Sequence, residues 1–424
     1  MKQLIYMIGM VGLGSVGPLI YGPFWAAFVY YHFAVLRPQF LWMWSLPVGI
    51  AWSFYVAVPA IVYALFELGE TGKRGRQFGA VHAALLGFVV WVTLSTLNAM
   101  NTRVAWEWYD VNIKIFLMVY VGSVLVATRR HVWWLFLMTA ASLGYIAYEA
   151  NYKYLVDGLM TIRTHGFAEY DNNGAGIMLA MGVPVCWFAW EGAGGRWWRW
   201  AYVALLPVIL HAVLMSFSRG AMLSLAVVTP LIVLRSRYRL WTVAGVALFG
   251  FFGLPLMAGK EIQERFFSIS QADADTTANT RLGTWEAAYK MALDYPIFGV
   301  GLRNSPMLVG AYGYWVPHQT IHSQYLQVAA DCGFVGLGFY LTLLGAAFWS
   351  IHRARGRLGR MPEADAHQAR AMLNGLECSL LTFVVGAIFL SLETLELTYL
   401  LLLLVARLST LVVAETEPPP RPAS

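Results

Sequence analysis

The chain reads as an all-α membrane protein: a polytopic bundle of about twelve transmembrane helices with one large external loop containing short helices. Three observations point there. Of 424 residues, 59% are hydrophobic and only 12% charged, far from the balance of a water-soluble domain. Apolar runs of about 20 residues, the length needed to cross a bilayer, recur along the sequence. The basic residues gather in short clusters between those runs.

The clusters fix sidedness. They fall at Lys73, Arg74 and Arg76; at Arg129 and Arg130; at Arg196 and Arg199; at Arg235, Arg237 and Arg239; and at Arg353, Arg355, Arg357 and Arg360. An even number of crossings separates each from the next, so the positive-inside rule puts all five in the cytoplasm. The predicted spans are then 44–67, 79–97, 109–127, 131–149, 172–190, 199–217, 220–234, 240–258, 324–351, 372–391 and 395–414. Residues 3–36, interrupted by "GSVGPLIYGP", count as one further, broken span if Lys2 is inside. Lys2 precedes an apolar stretch with no small-residue cleavage site, which reads as a retained span and not as a signal peptide. Both termini are then cytoplasmic. Four regions follow: N-terminal membrane helices over 1–258, a periplasmic loop over 259–323, C-terminal membrane helices over 324–414, and a proline-rich disordered cytoplasmic tail over 415–424.

Composition also excludes functions. The formal charge of +6 is scattered between spans, so it reports topology and not nucleic-acid binding. Cys186, Cys332 and Cys378 lie far apart without metal-ligand spacing and read as packing residues.

The external segments hold the candidate chemistry. In "SFSRGAMLSL", Arg219 is the one Lys or Arg between Trp200 and Leu234. Its hairpin turns outward there, and an arginine at a membrane boundary either snorkels to headgroups or meets an anion. In "ANTRLGTWEAAYKMALDYPIFGVGLRN", Asn279 or Thr280 can cap an amphipathic helix starting near Arg281, with Leu282, Trp285, Tyr289 and Leu293 as its apolar stripe. Arg281 then sits in the first turn, where the helix end favours an anion such as phosphate. "GVGLRN", which contains Arg303, reads as a glycine-rich loop. In "PHQTIHSQYL", His318 and His322 stand four residues apart at the outer boundary of the next span. Such a spacing can hold zinc, but no third ligand is evident. A histidine there is either a hydrogen-bonded boundary residue or a general base at neutral pH. Asp171, Asn172 and Asn173 cap the outer end of a span, and the two amides also suit a hydroxyl-rich ligand.

These cations, imidazoles and amides all fall on one side of the membrane. No GxxxxGK[ST] loop is present, and no cofactor is called for. An enzyme working outside the cytoplasmic membrane needs a preactivated donor, and a lipid diphosphate supplies one.

"SFSRGAMLSL", "TRLGTWEAAYKMALDYPIFGVGLRN" and "HSQYLQVAADCGFVGLGFYL" resemble, in order, three signatures of the O-antigen ligase and O-antigen polymerase superfamily of bacterial inner-membrane proteins. "GPFWAAFVYYHFAVLRPQFLWMWSLP" and "YDNNGAGIMLA" further resemble a subgroup labelled O-glycosylation ligases. The resemblance implies a metal-independent glycosyltransferase with a periplasmic active site. Its donor would be a glycan on undecaprenyl diphosphate, and for the ligases its acceptor is lipid A–core. It places the family histidine on His322 and the family arginines on Arg219 and Arg281. In that reading His322 is the general base and the arginines stabilise the diphosphate; Asn172, Asn173, Arg303 and His318, the last outside the family pattern, are the candidates for binding substrate. Direct displacement would invert the anomeric carbon. The rival class is a transporter for the lipid-linked glycan, with Lys114, Glu149 and Glu377 as coupling candidates.

Overall fold

The computed structural model describes residues 1–70, 78–253, 276–313 and 319–417. Among them the chain is helical, apart from an isolated bridge between Phe167 and Tyr170. Six helices are long and apolar enough to cross a bilayer, and three shorter apolar helices accompany them. The expected segments near 131–149 and 372–391 are present as α8 (Arg129–Asp157) and α17 (Glu363–Gly386), but polar residues interrupt them. Among the described residues, helices long and apolar enough to cross therefore stand at six of the twelve predicted spans, and the predicted span 240–258 runs beyond the described residues.

Antiparallel helix pairs form the centre. In α10 (Asn172–Gly192) and α17, glycines allow close approach: a Cβ on Gly386 would lie 2.7 Å from Ile177, and one on Gly192 would lie 3.0 Å from Ala371. Between those levels the Ser379 hydroxyl donates to the Met181 carbonyl at 2.8 Å. The second pair is α6 (Ala80–Leu97) and α16 (Gln324–Arg355). Here the Ser95 hydroxyl donates to the Asp331 carbonyl at 2.8 Å, the Trp91 indole to the Cys332 carbonyl at 2.9 Å, and Gly87 meets Phe339. These registers gather the starts of α10, α12 (Arg219–Arg235) and α16 with the loop 387–395 at one end. The basic residues Arg235 and Arg355 fall at the other end of their helices, as the charge rule predicts.

α16 is broken. Gly333 has a left-handed backbone (φ 73°) inside it, which frees carbonyls from the helical ladder. The loop after α14 (Thr276–Asp294) fills that break: Val300 N–H donates to Ala330 O, Gly301 N–H to Asp331 O, and Phe334 N–H to Pro296 O, all within 2.9 Å. Irregular backbone at membrane depth is tolerated where protein satisfies it in this way. A Cβ on Gly333 would stand 2.2 Å from the Ile297 carbonyl oxygen. Gly333→Ala should therefore cost at least about 1–3 kcal/mol from backbone strain alone and lower the melting temperature of the purified protein. Gly338→Ala, where a Cβ meets nothing within 4 Å, should leave it unchanged.

The structure corrects two N-terminal expectations. Residues 3–36 are not one broken crossing: α1 (Lys2–Ser15), α2 (Pro18–Tyr21) and α3 (Phe24–Leu36) double back. The Tyr6 hydroxyl bonds His32 at 2.5 Å, while a Cβ on Gly14 would lie 2.9 Å from Val29. Gly17, Pro18, Gly22 and Pro23 supply the reversal, so Lys2 lies toward the same end as Arg37, opposite to the inward placement expected for the N-terminus. The predicted span 44–67 also starts late. The turn-rich stretch 42–53, with Gly49 left-handed at φ 84°, precedes α5 (Phe54–Glu70).

Candidate functional site

α11 (Trp200–Met215) and α12 form the expected hairpin. Phe217 adopts a left-handed backbone (φ 56°), which reverses the chain in three residues, and Ser218 caps α12 by accepting from the Ala221 N–H at 3.2 Å. Arg219 is thus the first residue of the helix. A cation at the positive helix end is unfavourable by about 0.3–1 kcal/mol unless an anion joins it.

Arg281 was expected in that position, but α14 begins at Thr276, one turn earlier than the predicted cap. Arg281 instead lies in the second turn, on one face with Thr284 and Trp285. The predicted stripe is also different: Leu282, Tyr289 and Leu293 are exposed, whereas Thr284, Ala287, Ala288 and Met291 are buried. Small residues bring α14 close to the segment before α16. The Thr284 hydroxyl donates to the Ile321 carbonyl at 3.1 Å and the Trp285 indole to the His322 carbonyl at 3.3 Å.

His322 is not on a helix. It precedes α16 in a left-handed conformation (φ 55°), one that a non-glycine residue holds only under tertiary constraint and that recurs at functional sites. The constraint is visible on both flanks: Ile321 is held by Thr284, and the Gln324 N–H donates to the Ala387 carbonyl at 2.8 Å. The His322 Nδ1 is buried with no hydrogen-bond partner among the described residues. Burial pushes the imidazole below its ordinary value of 6.5, the charge of Arg281 pushes it further, and Asp171 pulls it back. The net downward shift favours the neutral form of the ring at neutral pH.

Asp171 caps α10, accepting from the Gly174 N–H at 2.8 Å. Asn172 donates to the Ser216 carbonyl at 2.8 Å, tying α10 to the turn before Arg219, and Asn173 donates to Asp171 at 3.2 Å. A Cβ on Gly220 would lie 3.6 Å from Phe389, whose ring sits 6.4 Å from that of Trp285. Aromatic contact thus links the start of α12 to the His322 segment. The sequence marks Asp171 only as a cap, and neither Arg163, whose guanidinium lies 4.1 Å from the Phe217 ring centroid, nor Phe389 carries a local motif.

Arg303 has structural partners where a substrate contact was expected. Its guanidinium pairs with Glu393 at 2.5 Å and lies 4.2 Å from the Trp108 ring centroid, while the Arg303 backbone N–H donates to the Asp331 carboxylate at 3.0 Å. His318 lies outside the described residues. The residues considered for coupled transport are also engaged. Lys114 pairs with Asp110, Glu149 accepts from Tyr145, and Glu377 is held by Arg235 and Arg355.

Residues 208–341 match the family model described as O-antigen ligase, and residues 1–163 match one described as a family of unknown function. A search of the curated proteins gives no match. The first match contains Arg219, Arg281, Arg303 and His322 within one continuous stretch. Residues 208–341 are thus similar to the O-antigen ligase family, and the apolar helices in and around that stretch are long enough to make this a multi-pass membrane protein.

Proposed function

We propose that the protein is an inverting, metal-independent glycosyltransferase of the bacterial inner membrane, acting on the periplasmic side. It transfers O-antigen glycan from undecaprenyl diphosphate to a hydroxyl of lipid A–core. The acceptor oxygen attacks the anomeric carbon as its proton passes to neutral His322. The bond from that carbon to the diphosphate oxygen breaks, and the electron pair leaves with undecaprenyl diphosphate. Arg219 and Arg281 stabilise the charge developing there with forked guanidinium hydrogen bonds. Asn172 and Asn173 frame the sugar entrance.

The observation that carries this reading is His322 itself. It is backbone-strained, pinned on both sides, electrostatically coupled to Arg281 and Asp171, and its buried Nδ1 has no hydrogen-bond partner among the described residues. A residue kept only for packing has no need of that combination.

The test uses detergent-purified protein and a lipid-linked glycan donor, with three acceptors offered separately: lipid A–core, a second donor molecule, and a pilin-like protein. Transfer to lipid A–core is expected. Transfer only to the second donor would make the protein a polymerase, and transfer only to the protein would make it a protein O-glycosylation ligase. No donor turnover with any acceptor would overturn the enzymatic reading in favour of transport.

A further inference from the structure

The ends of α12, α16 and α17 remote from His322 enclose a concavity of about 580 Å³, within the roughly 300–1,000 Å³ common for ligand sites. Its wall carries Arg235, Arg237, Arg239, Arg355 and Arg370. We propose that this cleft binds the phosphate headgroup of an anionic phospholipid from the membrane leaflet on that side.

The charges do not balance within the protein. Arg235 and Arg355 share one carboxylate, Glu377, at 2.8 and 2.6 Å. The Arg355 Nε is buried without a hydrogen-bond partner among the described residues. Glu363 and Glu191 also line the cleft; Glu363 pairs with no guanidinium among the described residues, and the oxygens of Glu191 accept from Ser236, from the Trp187 indole and from the Arg237 backbone N–H. That carboxylate fixes the 236–237 turn and pairs with no guanidinium. His367 sets its Nε2 2.9 Å from the Glu191 carbonyl, and its Nδ1 faces the Arg237 guanidinium at 3.5 Å. Arg239 donates to the Leu234 carbonyl. None of Arg237, Arg239 and Arg370 has a carboxylate partner among the described residues. Like charges converging on one hollow repel unless an anion joins them, and the forked geometry of arginine matches phosphate oxygens.

Lipid is the source because the cleft opens beside membrane-interface side chains. α13 (Arg239–Leu248) starts at the cleft and presents Leu240 and Trp241 outward, 86% and 73% exposed. Trp190 connects Trp200 to Tyr238, with ring centroids 5.7 and 5.1 Å away, and Trp197 is 85% exposed. Tryptophans mark the headgroup level, and basic clusters next to it select anionic lipids. This inference uses no part of the His322 assignment.

The experiment is a titration of the delipidated full-length protein, in neutral detergent, with short-chain fluorescent phosphatidylglycerol, with phosphatidylcholine, and with inorganic phosphate as competitor. Phosphatidylglycerol should bind the wild-type protein more tightly than phosphatidylcholine by about 10–30-fold, and Arg237→Gln/Arg370→Gln should remove most of that preference. Both residues are exposed, and the wild-type comparison stands even if the variant fails to fold. Equal binding of the two lipids, or a folded double variant with undiminished preference, would overturn the proposal. Binding of inorganic phosphate without binding of phosphatidylglycerol would overturn the lipid assignment.

Discussion

His322→Gln should lower glycan transfer by about 10²–10⁴-fold, the usual contribution of a positioned general base, while the protein remains inserted and folded. Gln keeps polarity and approximate size but cannot take up a proton, so loss of rate without loss of protein isolates the chemical role. The pH profile adds a sign test. Burial and Arg281 hold the His322 pKa below 6.5, and only the neutral ring accepts a proton. Transfer should therefore rise as pH increases through that lowered value and level off above it. Arg281→Gln removes a neighbouring positive charge, so the acid limb of whatever activity remains should move to higher pH. Asp171→Asn removes a negative charge yet keeps a side chain able to cap α10, so the limb should move to lower pH. Full activity in His322→Gln, or limbs that shift in the same direction, would remove His322 as the base.

Much of this site can be read along the sequence because its parts are local signals. A lone arginine in a long apolar hairpin, a serine before it, an aspartate opening a helix and a histidine at a span boundary each stand in a window of a few residues. Partnership across windows cannot be read that way. "GVGLRN" and "GFVGLG" look like two separate glycine-rich segments, yet Gly301 donates to the carbonyl of Asp331 at 2.9 Å and Gly299 packs against the same residue. One segment repairs the helix break that the other creates. The register of α14 was hidden for a related reason. Its large apolar residues suggested the buried face, but the close approach needed to hold His322 selects alanine and threonine. At the N-terminus, glycine and proline marked an interruption correctly, and only packing of α1 on α3 shows that the chain reverses there.

Arg219→Ala and Arg281→Ala should each reduce transfer by about 10²–10³-fold, the range for losing one preorganised donor to a developing oxyanion. Lysine at either position restores a charge but not a planar fork, so Arg219→Lys and Arg281→Lys should recover only part of the rate. If both guanidiniums act on one leaving diphosphate, the double alanine variant should fall short of the product of the single losses. A divalent ion bridging the diphosphate would do the same electrostatic work, which makes chelation the discriminating measurement. Transfer should survive EDTA unchanged; loss on chelation with recovery on adding Mg²⁺ or Mn²⁺ would assign the leaving-group charge to a metal. The two arginines differ in one further respect. Arg281 lowers the His322 pKa and is proposed to meet the leaving group as well, so its alanine variant should change both the plateau rate and the position of the acid limb. Arg219, at the first turn of α12, should change the plateau alone.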